Sequence, residues 1–332
     1  MITEIEPIKD IQQMQRSPAP SPALRYDSLL VLITMIWGGT FLVVKDAVKL
    51  SGPFIYLALC YSIGTLTLAL IFRKRLLRIT RSELISGAII GLFLFAGYAL
   101  QTTGLQYTTV SKAGFITGLY VPLVPVFAFF VLRQRPALGA IVGVVLSLLG
   151  LTLLSINKEF NLALGFGEML ILVGAFAFAM HIVCIGKFAP RADAINLAIV
   201  QLALTSLLSF LIMPIVREPF IVPPLPFWGA VLFMGVVDIA FTFLTMNWVQ
   251  QFISSTRATL IYALEPVWAA LFGFLLAGDK LSLLAWIGCG FILSGMLVGK
   301  IGFSRRHLFD FFRELNQRLA QFRRLVYDKR AS

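Results

Sequence analysis

The chain has 332 residues, of which 58% are hydrophobic and only 13% charged, with a mean hydropathy of +0.88. A soluble globular domain carries about 25% charged residues, so half that share excludes a water-soluble core of ordinary composition. The formal net charge of +12 does not point to nucleic acid, because the basic residues gather in alternate inter-segment stretches and the C-terminal tail, which is a pattern of membrane topology.

In chain order, residues 1–27 are polar, with three prolines in SPAPSPA, and read as a disordered cytosolic tail without the apolar core of a signal peptide. Ten apolar segments follow, at about 28–46, 54–72, 84–106, 111–132, 137–156, 166–186, 194–216, 226–250, 256–277 and 281–301. About 20 apolar residues at ~1.5 Å per residue cross a ~30 Å hydrocarbon core, and such runs are not the alternating strands of a barrel. The expected class is therefore an all-α integral membrane protein with ten transmembrane helices, five in 28–156 and five in 157–302.

With the amino terminus inside, 22 of the 28 Lys and Arg residues fall on the inner side, including Arg73, Lys74, Arg75, Arg78 and Arg81. The outer set is Lys45, Lys49, Lys112, Lys158, Arg217 and Lys280. The positive-inside rule then puts both termini in the cytosol, with the chain multi-pass in the plasma or inner membrane. In the tail 303–332, Leu308, Phe311, Phe312, Leu315, Leu319, Phe322 and Val326 recur on one helical face among eight basic residues. This reads as a basic amphipathic helix on the anionic inner leaflet, with a partner-docked helix as the alternative.

Shifting the chain by 144 residues brings Gly91 onto Gly235, Ala96 onto Ala240, Leu100 onto Leu244 and Gln106 onto Gln250. Ser111 then meets Ser255, Pro122 meets Pro266 and Phe130 meets Phe274. One extra residue near Ala277 moves the offset to 145, after which Gly143 meets Gly288 and Gly150 meets Gly295. A five-helix repeat begins on opposite sides of the membrane in its two copies, so the halves are expected to be inverted. Inverted repeats of this kind build secondary transporters, with substrate bound near the midplane between halves.

The ninth segment, ATLIYALEPVWAALFGFLLA at 258–277, sets Glu265 directly before Pro266. A charge inside a span costs at least ~2.5–3.5 kcal/mol, and proline breaks the helical hydrogen-bond ladder. Pro122 and Pro266 are both read as helix breaks. Opposite Glu265 the first half has Val121, opposite Asp238 it has Leu94, and opposite Asp279 it has Gln134. The intramembrane carboxyls thus belong to the second half alone, which favours a chemical role for Glu265 and Asp238 over packing. Both are candidates for proton coupling.

Other polar and aromatic residues within spans are weighed between cavity lining and interhelical packing. Trp37, Gly38 and Thr40 lie in the first span, where an indole can stack a substrate or a cation. Tyr98 and Gln101, with Thr102, lie in the third span. Tyr120 belongs to the fourth, His181 to the sixth, Asn247 to the eighth and Tyr262 to the ninth. Cys60, Cys184 and Cys289 sit singly in apolar runs and match neither a disulfide framework nor a metal site. No phosphate-binding GxxxxGK[ST] loop and no nucleophile–base set is present in the sequence, so neither enzymatic activity, a cofactor nor a metal is expected.

WGGTFLVVK at 37–45, SKAGFITGLYVPLVPVFAFFVLRQRP at 111–136 and STRATLIYALEPVWAALFGFLLAGDKL at 255–281 resemble the drug/metabolite transporter superfamily. The closest branch is the EamA-type ten-helix permease, which GYALQTTGLQYTT at 97–109 and FAMHIVCIGKFAP at 178–190 also resemble. The resemblance spans roughly 28–301. It implies a 5+5 inverted basket that moves small metabolites outward, often amino acids or related compounds. The family's tryptophan–glycine segment matches Trp37 to Phe41, and its ninth-helix Glu-Pro matches Glu265 and Pro266. Where many relatives carry an arginine in the second helix, Cys60 or Tyr61 stands here, and Gln134 and Asp279 replace common glutamates.

The expected function is secondary transport, with export by alternating access and proton coupling as an option. A lipid-carrier flippase and a non-transporting membrane scaffold or sensor are the alternatives. Expected partners are a small-molecule substrate and a bilayer with an anionic inner leaflet, with no nucleic acid, and the protein is expected as a monomer or homodimer.

Overall fold

The computed structural model describes residues 22–155, 165–218, 223–276 and 281–301. The expectations for the tails at 1–21 and 302–332, and for Lys158, Asp279 and Lys280, lie outside the described residues.

Every element among the described residues is helical. The first half runs through α1 (Pro22–Ser51), α2 (Pro53–Ile71), the single turn α3 (Arg73–Leu76), α4 (Arg81–Gly104), α5 (Val110–Thr117), α6 (Tyr120–Leu132) and α7 (Leu138–Ser155). The second runs through α8 (Phe166–Phe188), a 3₁₀ turn (Ala189–Arg191), α9 (Ala194–Ile215) and α10 (Leu225–Phe233). A π-helical segment (Met234–Phe241) and α11 (Thr242–Val249) continue α10, and α12 (Ser255–Tyr262), α13 (Glu265–Leu276) and α14 (Leu283–Ile301) complete the chain. α1 begins at Pro22, ahead of the expected start of the first segment.

Six helical stretches are long and apolar enough to cross a membrane, and α7 and α14 supply shorter apolar helices. Large apolar side chains such as Leu70 and Leu225 stand 73% and 84% exposed on the outer surface. Together these features make the protein a multi-pass integral membrane protein, since only helices and closed barrels satisfy their backbone groups inside hydrocarbon.

Helix starts are set by local chemistry. Thr80 and Glu83 form a reciprocal capping box at α4, Asp193 caps α9, and Thr109 and Ser254 cap α5 and α12. α2 begins after Gly52, whose φ of 86° is in the left-handed region that glycine adopts without penalty. Glycine offers no capping side chain, so Glu218 from the second half serves instead, accepting from the backbone N–H of Phe54 (3.0 Å) and Ile55 (2.8 Å). Glu83 makes a similar bridge between halves, accepting from Asp193 N–H (2.9 Å) and Asn196 Nδ2 (3.1 Å).

Contacts between the halves repeat the sequence offset. A Cβ on Gly143 would lie 2.6 Å from the Gly295 carbonyl oxygen, and one on Gly150 would lie 2.5 Å from that of Gly288. The 145-residue offset exchanges these two contacts. α7 and α14 therefore touch backbone to backbone, which small residues alone permit. Elsewhere Ser62 on α2 and Ser206 on α9, which are 144 residues apart, hydrogen-bond each other at 2.7 Å.

Gly288→Ala is expected to lower the thermal midpoint of the detergent-purified protein, because overpacking against fixed backbone costs about 1–3 kcal/mol. Gly290→Ala, on the same helix with nothing within 4 Å, is expected to leave the midpoint unchanged or slightly raised. Equal losses in a melting assay of the two variants would contradict the backbone contact.

Candidate functional site

The site is built around two interrupted helices. α5 stops at Thr117 and α6 resumes at Tyr120, while α12 stops at Tyr262 and α13 resumes at Glu265. Pro122 and Pro266 fall in the first turn of the resuming helices, where a missing N–H removes no intrahelical bond. Glu265 is the first residue of α13, so its carboxyl stands at the break itself.

Gly38 makes that break buildable. A Cβ there would lie 2.8 Å from the Glu265 carbonyl oxygen and 2.6 Å from Trp268 Cβ, so α1 crosses α13 in backbone contact. The neighbouring Gly39 meets only the Phe272 ring, at 3.6 Å. Trp268 Nε1 donates to Thr34 Oγ1 at 3.1 Å and ties the same crossing together. In the eighth segment the π-helical stretch Met234–Phe241 carries Asp238, whereas the corresponding part of α4 is regular helix. A π insertion changes which side chains face inward, and such insertions recur at functional sites.

Between the halves lies a cavity. Trp37, Thr40, Tyr98, Gln101, Tyr120, His181, Asp238 and Glu265 line it. Gly38, Asn247 and Tyr262 are not in its lining. Gly38 packs as described, Asn247 is buried with Nδ2 donating to the Phe243 carbonyl at 2.7 Å, and Tyr262 is buried 5.5 Å ring to ring from Trp37. Leu94, the repeat counterpart of Asp238, also faces the cavity.

Several lining residues were not among the sequence candidates: Tyr56, Thr117, Phe178 and Phe243, together with Cys60 and Tyr61, the second-helix departure from the family pattern. Phe243 is the centre of the aromatic wall. Its ring centroid lies 5.8 Å from His181, 6.1 Å from Tyr98, 6.2 Å from Tyr61 and 6.4 Å from Trp37. Aromatic residues in an apolar span carry no sequence mark that separates a cavity wall from a lipid-facing or core position.

The polar groups divide into satisfied and unsatisfied sets. His181 Nε2 pairs with Gln201 Oε1 at 2.8 Å, and Gln101 Nε2 donates to Thr117 Oγ1 at 2.9 Å. Asp238 Oδ1 and Trp37 Nε1, by contrast, have no partner among the described residues. Glu265 is half-buried at the cavity wall, and no ion pair or hydrogen bond of its carboxyl occurs among the described residues. No Lys or Arg lines the cavity, and no cluster suited to a metal occurs among the described residues. The arrangement can hold a polar or positively charged group against carboxyl oxygens while rings enclose its body.

Two ion pairs of related position lie outside the cavity lining. At one end Arg257 forks onto Asp27, with Nη2 at 2.8 and 2.9 Å from its two oxygens, beside the stacked rings of Tyr26 and Phe252 at 4.8 Å. At the other, Lys112 Nζ lies 3.4 Å from Glu168 Oε1, which also accepts from Thr108 Oγ1 at 2.7 Å. The apolar cluster Leu105, Ala113, Ile116 and Ile171 lies beside it. Lys112 and Arg257 each follow their helix cap by three residues, so the two ion pairs occupy similar places in the halves although the 144-residue offset pairs Lys112 with Thr256.

Long apolar helices enclosing a mostly apolar cavity with carboxyls beside a helix break fit a membrane protein of the transporter class. The chain belongs to the EamA-like transporter family, which matches residues 24–156 and again 165–299. It is 31% identical over 276 residues to an "Uncharacterized transporter" of Archaeoglobus fulgidus, covering 81% of this chain and 83% of that protein. It is 25% identical to the "Uncharacterized transporter YoaV" of Bacillus subtilis (83% and 97% covered). It is also 28% identical to the "Uncharacterized inner membrane transporter YedA" of Escherichia coli (82% and 90%). A solved crystal structure shares the fold, with a TM-score of 0.69 at 21% identity over 83% of this chain and 96% of that one.

An unsatisfied buried acceptor costs about 1–3 kcal/mol, so Asp238→Leu, the residue found at the counterpart Leu94, is expected to raise the melting midpoint. A lower midpoint for Asp238→Leu in the same detergent would mean that the carboxyl holds the bundle together and is not strained within it.

Proposed function

We propose that this protein is a secondary transporter of the cell membrane that exports small metabolites by alternating access, using the cavity at Asp238 and Glu265 as its substrate site. The observation that carries the reading is a cavity with unpartnered carboxyls, lying between two chain halves that each match the same transporter family. Amino acids and related compounds are the substrate class that the family resemblance implies.

Ten crossings are proposed, made by α1, α2, α4, α5 with α6, α7, α8, α9, α10 with α11, α12 with α13, and α14. An odd number of crossings per half inverts the second half and leaves both termini in the cytosol. Support comes from the sorting of polar contacts. Asp27, Arg75, Glu83, Asp193 and Arg257 pair at the end that the charge rule assigns to the cytosol, and Lys112, Glu168 and Glu218 pair at the other. The Asp27–Arg257 and Lys112–Glu168 pairs then act as the inner and outer gates, and access alternates when one parts while the other stays closed. Export against a gradient needs a coupled ion, and Asp238 and Glu265 are the groups that would exchange a proton for substrate. The substrate and the lipid bilayer are the proposed partners of a monomer or homodimer that does not bind nucleic acid.

In proteoliposomes, Glu265→Gln is expected to slow substrate counterflow by about tenfold or more, equivalent to ~1.4 kcal/mol of barrier, with an unchanged melting midpoint. Wild-type rates in that variant would remove Glu265 from the mechanism. For the inner gate, Asp27→Arg and Arg257→Asp are each expected to cut counterflow, and combining them to restore a substantial part of it. A swapped protein no better than the single variants would leave the pair without a gating role.

A further inference from the structure

The cavity wall has an unbalanced charge inventory. It carries two carboxyls, Asp238 and Glu265, and no Lys or Arg. Its one imidazole has Nε2 committed to Gln201. Asp238 lines the cavity while only 4% exposed, and its buried Oδ1 has no partner among the described residues. No Lys or Arg in the lining offers a positive charge to a ligand anion, and a ligand carboxylate would meet two carboxyls with no cation between them. Buried charges are tolerated when paired, so an anionic group on the ligand is disfavoured beside these carboxyls, whereas a cation pairs with them.

The walls fit the same ligand. Trp37, Tyr61 and Tyr98 each lie within ring-contact distance of Phe243 along the cavity wall, and aromatic faces attract ammonium groups and stack planar bodies. We propose that the substrate is an organic ammonium compound with a flat apolar body and no free carboxylate, its nitrogen held between Asp238 and Glu265 and its body between the rings. This rests on the transport reading of the cavity and narrows the implied substrate class from amino acids to amines.

The test uses the full chain, with three probes that share an indole ring and differ in charge. The N-trimethylated quaternary derivative of tryptamine is a permanent cation, tryptophan is a zwitterion and indole-3-acetate is an anion. Equilibrium binding to the detergent-purified protein and uptake into proteoliposomes, each corrected for protein-free controls, are measured in parallel. The expected result is that the cation binds and crosses at least about tenfold better than tryptophan, that indole-3-acetate does neither, and that Asp238→Asn and Glu265→Gln each weaken cation binding. Because wild-type selectivity among the probes answers the question by itself, misfolding of a variant does not blunt the test. Tryptophan crossing as well as the cation would overturn the amine assignment and leave the transport reading standing. Cation binding without uptake of any probe would support the site chemistry and overturn transport. Binding of the anion, or of no probe, would overturn the inference.

Discussion

Inside hydrocarbon a backbone N–H or C=O without a partner costs several kcal/mol, and the whole molecule answers to that constraint. A chain that obeyed it strictly would be a bundle of unbroken helices with no inward-facing polarity. This one interrupts two helices in the middle of the bundle and must support the ends it creates. At the second interruption Ala263, Leu264 and Trp268 donate their N–H groups to the carbonyls of Thr259, Ile261 and Leu264, while α1 packs closely against the Glu265 carbonyl because Gly38 has no side chain. Proline at the resuming end removes one N–H that would otherwise seek a partner. The break, the close glycine crossing and the carboxyl beside them form one unit.

The repeat separates what this unit owes to architecture from what it owes to chemistry. Both halves interrupt a helix at corresponding places, both keep a proline there, and both cap the preceding helix with a hydroxyl residue. The Ser62–Ser206 pair joins residues of equal rank in the two halves, and the Gly143–Gly295 and Gly150–Gly288 contacts exchange with each other under the repeat. Against that common frame, Val121 is buried where the second half has Glu265, and Leu94 faces the cavity where the second half has Asp238. Asp238 also sits in a π-helical stretch whose counterpart is regular. The frame is shared by the halves, and the ionisable groups are added to one of them.

Much of this was legible in the sequence, because the apolar periods that define membrane helices are written locally. The ten apolar segments fall on α1, α2, α4, the broken and unbroken helices that follow, and α14, with ends shifted by a few residues. The breaks were signalled by Pro122 and Pro266. Side-chain destinations were less legible. Asn247 looked like a cavity group, but its amide is taken by the Phe243 carbonyl four residues back, a local bond that removes it from ligand chemistry. Phe243, Tyr56 and Tyr61 resembled any other aromatic residue of an apolar span, and only the packing of distant helices puts their rings around one space. The π stretch at Asp238 left no composition signal. The ion pairs at Asp27–Arg257 and Lys112–Glu168 join residues 230 and 56 positions apart, a distance that local pattern does not reach.

The account's central claim is that Asp238 and Glu265 are working groups of one ligand-accessible cavity. A hydrophobic carbodiimide reacts with carboxyls held in apolar surroundings, and the modified residues of the membrane-reconstituted protein are read by peptide mass spectrometry. Labelling is expected at Glu265 and Asp238, and it falls when a ligand of the cavity is present. Labelling confined to carboxyls at the two ends of the bundle, or labelling of this pair that no ligand diminishes, would contradict it.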